Sequence, residues 1–332
     1  ELLELALHNA GRSVWAQAIV VGFIVWLGWR ANELDEAIIA GAIGYLKKAA
    51  KLASRSARIN TLLGEAYLNS GNVTAAEAAA REMLWFLTGN TNIRPLVEQG
   101  VHIWTDWPLD KYRKATGEVI SRDDFEARII ADEAFALQWG DLGPVYGAQW
   151  VNWPRYEPAG PAGAGGEGLY RRARQGHNQI AALVEGIRTN PGSRRLLFTG
   201  WNVDEVDSMA LPPCHMTYQF HVDSVGGLSC LLFQRSCDVA LGLPFNLFAA
   251  ALLTNMLAQQ SGLQARKLVW NGGDVHLYQN HAALVDEQLA RVPGGDPRLR
   301  LRQATSISDY AFEDISVENY APQSHIAAPV AV

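Results

Sequence analysis

The sequence predicts an α+β fold, and two observations carry that expectation. Segments with helical apolar spacing are interspersed with short β-branched and aromatic runs, but without the strict strand–helix alternation of a doubly wound parallel sheet. The chain is 332 residues long, 48% hydrophobic and 19% charged, which is the composition and length of a soluble globular protein with a large core. No internal repeat is visible.

Taken in order, residues 1–52 read as helical, with residues 33–53 rich in Ala, Leu, Ile and Lys at helical spacing. Residues 13–29 hold no charge and lie between Arg12 and Arg30. This run sits at the lower end of the roughly 17–25 residues a spanning helix needs. Gln17, Gly22 and Gly28 weaken it, so the reading is a buried or partner-covered helix, with a membrane anchor as the alternative. No small-residue cleavage site follows, so it is not read as a signal peptide. Residues 55–68 suggest a strand or two, and residues 75–87 a core helix with Thr74 as its N-cap. Residues 108–139 are charged and amphipathic, hence helical, and residues 154–168 form a Pro/Gly loop. A helix is expected over 175–189, closed by Asn190-Pro191-Gly192. Strands follow at 195–201, 216–222 and 228–235, then an apolar helix at 247–260, strand pieces at 267–270 and 275–278, and short strands and loops to the end.

The net charge is −6, so bulk electrostatics give no reason to expect nucleic-acid binding, although a local basic pocket for a small anion remains open. The three cysteines, Cys214, Cys230 and Cys237, make no disulfide framework and suit a reducing cytoplasm. Cys230 and Cys237 read as structural. Residues 163–168 match the G-x-G-x-x-G pattern. That pattern binds dinucleotides only between a strand and a helix N-terminus, whereas here it follows Pro158 and Pro161 in a loop.

The chemistry concentrates around Leu211-Pro212-Pro213-Cys214-His215. Two prolines stiffen the approach to a cysteine at the start of a strand, where a nearby cation would favour the thiolate. A lone cysteine is otherwise an inert buried thiol. Ser193-Arg194-Arg195 follows a turn and Gln234-Arg235-Ser236 ends a strand, each offering guanidinium and hydroxyl groups to phosphate oxygens. For Arg194-Arg195 a solvated turn is the plainer alternative. Glu82 lies within an apolar helix, where an unpaired carboxylate is costly.

These residues stand in an order that resembles the thymidylate synthase family. The resemblance rests on Cys214-His215, on residues 227–246 (GLSCLLFQRSCDVALGLPFN) and on residues 269–281 (VWNGGDVHLYQNH). It extends to residues 82–87 (EMLWFL), 89–93 (GNTNI), 103–107 (IWTDW), 140–147 (GDLGPVYG) and the terminal residues 328–332 (APVAV). It runs from about residue 79 to 332, with insertions near 108–139 and 155–172. It implies a three-layer fold with a large mixed sheet at a dimer interface, a catalytic domain over 53–332 and a divergent helical extension over 1–52. The implied activity is the reductive methylation of dUMP to dTMP, with 5,10-methylenetetrahydrofolate as co-substrate and no metal.

The resemblance also implies roles. Cys214 adds to C6 of the pyrimidine. Arg235 lies near that sulfur and, with Ser236, binds the nucleotide phosphate; Arg194 and Arg195 reach the phosphate of the other subunit of a homodimer. Asn246 reads the base, since its amide can pair with both N3–H and O4 of uracil. His215 and Gln234 belong to the substrate-binding set, and His276 and Tyr278 hold the sugar 3′-hydroxyl. Glu82 and Tyr146 run a water network for proton transfers. Asp238 faces the pterin; Ile103, Trp104, Trp107, Leu241, Gly242 and Phe245 pack the folate; and the Val332 tail closes over the complex. Plainer readings stand beside these: core packing for Trp104, Trp107, Leu241 and Phe245, one satisfied strand face for His276 and Tyr278, and a helix cap for Asn246.

The N-terminal part departs from the family. An Arg-Thr-Gly phosphate loop is expected, and the nearest counterpart is Ser54-Arg55-Ser56-Ala57-Arg58, without the glycine, leaving Arg55 or Arg58 as the phosphate ligand. Residues 71–76 replace an expected Phe-Pro-Leu-x-Thr-Thr-Lys stretch. The alternative function is a pyrimidine nucleotide hydroxymethylase of the same superfamily, acting on dUMP, dCMP or CMP. Asn271 after Trp270 points that way, whereas Asn246 and the Val332 tail point to the synthase.

Overall fold

The computed structural model describes residues 75–160, 169–292, 297–320, 323 and 326. The expectations for residues 1–74, including the apolar run, the Arg55/Arg58 loop and the Thr74 cap, lie outside these residues, as do residues 163–168 and Val332.

The architecture is α+β. In chain order the elements are α1 (Ala75–Thr88), α2 (Arg94–Val97), α3 (Asp106–Thr116), α4 (Arg122–Ala131), α5 (Glu133–Trp139), α6 (Gly147–Val151), β1 (Tyr156–Pro158), β2 (Tyr170–Arg172), α7 (Gln179–Thr189) and β3 (Leu197–Thr199). There follow β4 (His215–Val222), β5 (Gly227–Asp238), α8 (Gly242–Gln260), β6 (Gln264–His276), α9 (Ala282–Ala290), β7 (Arg298–Leu301) and β8 (Ile315–Glu318).

The central sheet runs in the order β3-β4-β5-β6. Its first three strands are antiparallel and β5 pairs with β6 in parallel, so the sheet is mixed. A parallel pair needs a long crossover, and α8 supplies it. The strands alternate in burial. Phe198, Tyr218, Phe220, Leu228, Cys230 and Leu232 are buried on the face that carries α8, and α1 packs against α8 in turn. α8 has no amphipathic stripe because it is covered nearly all round: residues from Phe248 to Thr254 are all buried.

Differences from the sequence reading have local causes. The helix expected from residue 175 begins at Gln179, because Asn178 accepts the Ala181 amide at its side chain and caps it there. The two strand pieces at 267–270 and 275–278 are one strand, β6: Gly272 and Gly273 between them continue the ladder instead of breaking it. A Cβ at Gly273 would stand 2.8 Å from the Arg235 carbonyl, so the glycine permits the pairing. Within the expected 154–168 loop, Tyr156–Pro158 pairs with Tyr170–Arg172. The amphipathic stretch at 108–139 is three helices around an aromatic cluster of Tyr112, Phe125, Phe135 and Trp139. Helix α9 lies in a stretch expected to hold only short strands and loops.

One close approach positions the site. Gly147 opens α6, and a Cβ there would lie 2.2 Å from the Phe86 carbonyl of α1. The residue before it, Tyr146, takes φ 25° and ψ −85°, a positive-φ conformation that residues with side chains rarely adopt. Burial of Tyr146 against Phe86, with the rings stacked at 4.9 Å, offsets that strain. Gly147→Ala is therefore expected to destabilise the fold by about 2–4 kcal/mol, read as a lowered midpoint in chemical unfolding, because backbone rather than a flexible side chain must move.

Candidate active site

The C-terminal ends of the parallel strands β5 and β6, the N-terminus of antiparallel β4 and the first turns of α8 meet at one end of the sheet. Cys214, immediately before β4, therefore lies beside Arg235 of β5; Ser236 and Asp238 follow on β5; His276 pairs with Asp238; and Leu241, Gly242, Phe245 and Asn246 open α8. Ligand sites form at such carboxyl ends because the chain leaves the sheet there and opens a crevice. A register shift between His215 and Thr217 in the β4–β5 pairing marks a bulge next to Cys214.

Arg235 is tied to the cysteine segment three times. Its amide donates to the Cys214 carbonyl (2.8 Å), its Nε to the Pro213 carbonyl (2.9 Å) and its Nη2 to the Pro212 carbonyl (2.7 Å). This sets Nη2 3.9 Å from Cys214 Sγ, with the guanidinium over the Trp201 ring. The thiol feels two opposed effects. Burial raises its pKa above the ordinary value, while Arg235 and the Tyr146 hydroxyl pull it down; burial is the larger, so the ligand-free thiol is held in its protonated form. The expected arginine effect is present but outweighed. Cys230 and Cys237 are pushed up to about 12 by burial, which leaves Cys214 as the accessible thiol of the three.

Tyr146 Oη accepts the Cys214 amide (2.8 Å), so the strained tyrosine holds the cysteine backbone. His215 lies behind Cys214. It is buried, stacks on Tyr146 at 4.3 Å and bonds Tyr218 Oη through Nδ1 (2.9 Å). Burial pulls its pKa to about 3, so the ring is neutral at neutral pH. On α1, Glu82 is one turn before Phe86 and 7% exposed. Its Oε1 accepts from Trp104 Nε1 (2.7 Å), and Trp104 and Trp107 sit 5.2 Å apart. Burial lifts the Glu82 carboxyl to about 7, against the opposing pull of the indole N–H.

Asn246 is fixed by a directional relay. Trp270 Nε1 can only donate, and it donates to Gln234 Oε1 (2.9 Å). Gln234 therefore presents Nε2 to Asn246 Oδ1 (2.7 Å), which sets the asparagine amide in one orientation. Gln234 is itself buried and acts from behind Asn246. Asp238 Oδ1 accepts the Ala240 amide (2.9 Å) and lies 3.9 Å from His281 Nδ1; His276 and Tyr278 meet edge to face at 5.1 Å.

The exposed pair Arg194 and Arg195 is not brought to Cys214. Register pairs Leu197 with Gln219, five residues from Cys214, or roughly 16 Å along a strand, and the arginines lie farther on. The sequence reading missed Trp201, Tyr218, Trp270 and His281 as supporting residues. Trp201, Trp270 and His281 have no local signature, since each acts through a long-range contact, whereas Tyr218 meets His215 three residues earlier on β4. Among the described residues no group of three or more His, Cys, Asp or Glu is placed to hold a metal ion, and no helix is long and apolar enough to cross a membrane.

The family model described as thymidylate synthase matches residues 49–332. The thymidylate synthase of Sphingopyxis alaskensis is 71% identical over 257 residues, covering 77% of this chain and 81% of that protein. Those of Novosphingobium aromaticivorans and Rhizorhabdus wittichii are 65% and 61% identical over 257 residues, again 77% of this chain and 80% and 81% of theirs.

The raised Glu82 pKa has a consequence for stability. A carboxyl whose pKa rises from 4.5 unfolded to about 7 folded binds more protons in the folded state between those values. Its contribution is therefore intact below about pH 4.5 and lost as pH rises through about 7. Glu82→Gln should be more stable than wild type at pH 8, by roughly 3 kcal/mol at most, and equal to it at pH 4.5. Urea unfolding at the two pH values reads the difference.

Proposed function

The chain belongs to the thymidylate synthase family, and from that premise we propose how its residues perform the reaction. The activity is the reductive methylation of dUMP to dTMP, a methyl transfer in which 5,10-methylenetetrahydrofolate supplies both the carbon and the hydride. The observation that carries the residue assignment is the 3.9 Å approach of Arg235 to a partly exposed Cys214 Sγ.

Cys214 adds as thiolate to C6 of the pyrimidine, which makes C5 a nucleophile. The nucleotide phosphate binds near Arg235, whose Nη1 protons make no hydrogen bond among the described residues, with Ser236 beside it. Asn246 reads the base. Its Oδ1 faces Gln234 and keeps a second lone pair for N3–H of uracil, while Nδ2 donates to O4. Cytosine presents the opposite pattern, and the Trp270–Gln234 relay opposes the amide flip that would accept it. His276 and Tyr278, across from Asp238, suit the sugar 3′-hydroxyl.

The folate fits the same end of the sheet. Trp104 and Trp107 form a tilted indole pair, Ile103 and Phe245 add apolar wall, Leu241 and Gly242 open α8, and Asp238 offers a carboxylate to pterin N–H groups. Glu82 has a pKa near neutrality, suited to passing protons through water in either direction, and Tyr146 lies between it and Cys214. Residues outside the described set complete this reading: Arg55 or Arg58 at the phosphate and Val332 closing over the complex.

A homodimer follows from the open face of the sheet. Leu197, Leu231 and Val269 stand in one row that crosses the four strands, with the exposed Gln219 of β4 between the first two; they are 45%, 39% and 45% exposed, and Phe233 lies on the same face. An uncovered apolar sheet face needs a partner. A second copy on it also allows Arg194 and Arg195, remote from their own Cys214, to serve the partner's phosphate. The hydroxymethylase reading is not favoured. Asn271, which suggested it, pairs with Phe233 on the open face, one residue out of phase with Trp270.

With dUMP and methylenetetrahydrofolate the protein should form dTMP with one dihydrofolate per turnover. A 5-hydroxymethyl nucleotide released with tetrahydrofolate would reject the reading. Cys214→Ser should lose more than about a thousandfold in kcat while keeping its dUMP dissociation constant within about threefold. Asn246→Asp should shift kcat/KM from dUMP toward dCMP, checked by competing the two nucleotides.

A further inference from the structure

Beside the indole wall lies a buried carboxylate that the reaction does not use. Glu126, on α4, is 6% exposed. It belongs to the charged stretch that the resemblance marked as an insertion. α4 is rigidly seated, since Phe125 and Ile129 are fully buried and Phe125 packs on Tyr112 and Phe135. The partners of Glu126 come largely from the segment that carries Trp104 and Trp107. Its Oε1 accepts from the fully buried Thr105 hydroxyl (2.5 Å), and its Oε2 lies 2.8 Å from His102 Nδ1, off-line for a hydrogen bond but within ion-pair reach. Arg122, one turn earlier on α4, faces the same carboxylate at 3.5 Å and donates to the His102 carbonyl; it also lies 4.0 Å from Asp106. A buried carboxylate is retained at this cost only when it is well paired, and here the pairing clamps the backbone on both sides of Trp104.

We propose that Glu126 is a positioning residue for the folate site, holding the Trp104–Trp107 indole pair from the inserted helix through Thr105 and His102. The inference rests on the assignment of those indoles to the folate wall. The same segment also delivers Trp104 Nε1 to Glu82, so its position matters on both sides of the indole. A displacement well below 1 Å in such a wall is enough to weaken stacking without disturbing the nucleotide site, which is built on the sheet.

The test uses the full-length chain and compares Glu126→Ala, Glu126→Gln, Thr105→Val and Trp107→Phe. Glu126→Ala should raise the KM for methylenetetrahydrofolate about tenfold, with kcat within about threefold and the dUMP dissociation constant, measured without folate, within about twofold. Glu126→Gln keeps an acceptor for the Thr105 hydroxyl and should recover most of the KM. Thr105→Val, matched in shape but without the donor, should reproduce the rise, and it decides the matter if Glu126→Ala does not fold. An unchanged folate KM in folded Glu126→Ala or Thr105→Val overturns the proposal. A parallel loss of dUMP affinity overturns it as well, since that marks general damage. Trp107→Phe separates the premise: a raised folate KM there beside normal values in the other variants rejects Glu126 alone, whereas an unchanged one removes the indole wall and the proposal with it.

Discussion

The site depends on the threefold attachment of Arg235 to the Pro212–Cys214 segment. The strand ladder supplies one bond, the Arg235 amide to the Cys214 carbonyl, and the two proline carbonyls supply the others. A guanidinium has rigid fork geometry, so fixing two of its donors fixes the whole plane. The prolines therefore do more than stiffen the approach to the strand. Their carbonyls are acceptors aimed at one cation, and that cation opposes, without overcoming, the burial that keeps the Cys214 thiol protonated. The protonation of the Cys214 thiol is a balance between desolvation and one positioned charge.

The second constraint comes from the opposite side. Tyr146 holds the Cys214 amide from a strained backbone position, and the strain is tolerated because Gly147 allows α6 to lie against Phe86 while the tyrosine ring packs on both Phe86 and His215, which also touch each other. Neutral His215, anchored by Tyr218, belongs to this buttress. Residues that look like chemistry in the sequence thus divide into those that face the open end of the sheet and those that hold them from behind. Gln234 and His215 are of the second kind, Cys214 and Asn246 of the first.

Much of this is legible in the sequence. The mixed α/β pattern, the long apolar helix and the three strands leading to it all form, because their apolar periodicity matches what they bury. Cys214 and Arg235 stand out as a thiol and a cation at strand ends, whereas the base-reading role of Asn246 is implied only by the family resemblance, its residue type alone fitting a helix cap. What cannot be read is set by distance in the chain. Trp270 acts 36 residues from Gln234, and Trp104 acts 22 residues from Glu82. No local pattern encodes such pairs, and Gly272-Gly273, which falls between the two expected strand pieces, proves to be part of the close pairing of β6 on β5. The cation expected beside the thiol is in place, but burial outweighs it, and burial is a property of the folded surroundings rather than of any local motif.

The most direct measurement is the pH dependence of Cys214 alkylation in the ligand-free protein, compared between wild type and Arg235→Gln, with Cys214→Ser as the blank. The account predicts a wild-type midpoint above that of an ordinary thiol and a further upward shift when the guanidinium is removed. Identical midpoints in the two proteins would contradict it, because Arg235 would then exert no hold on the charge of the sulfur.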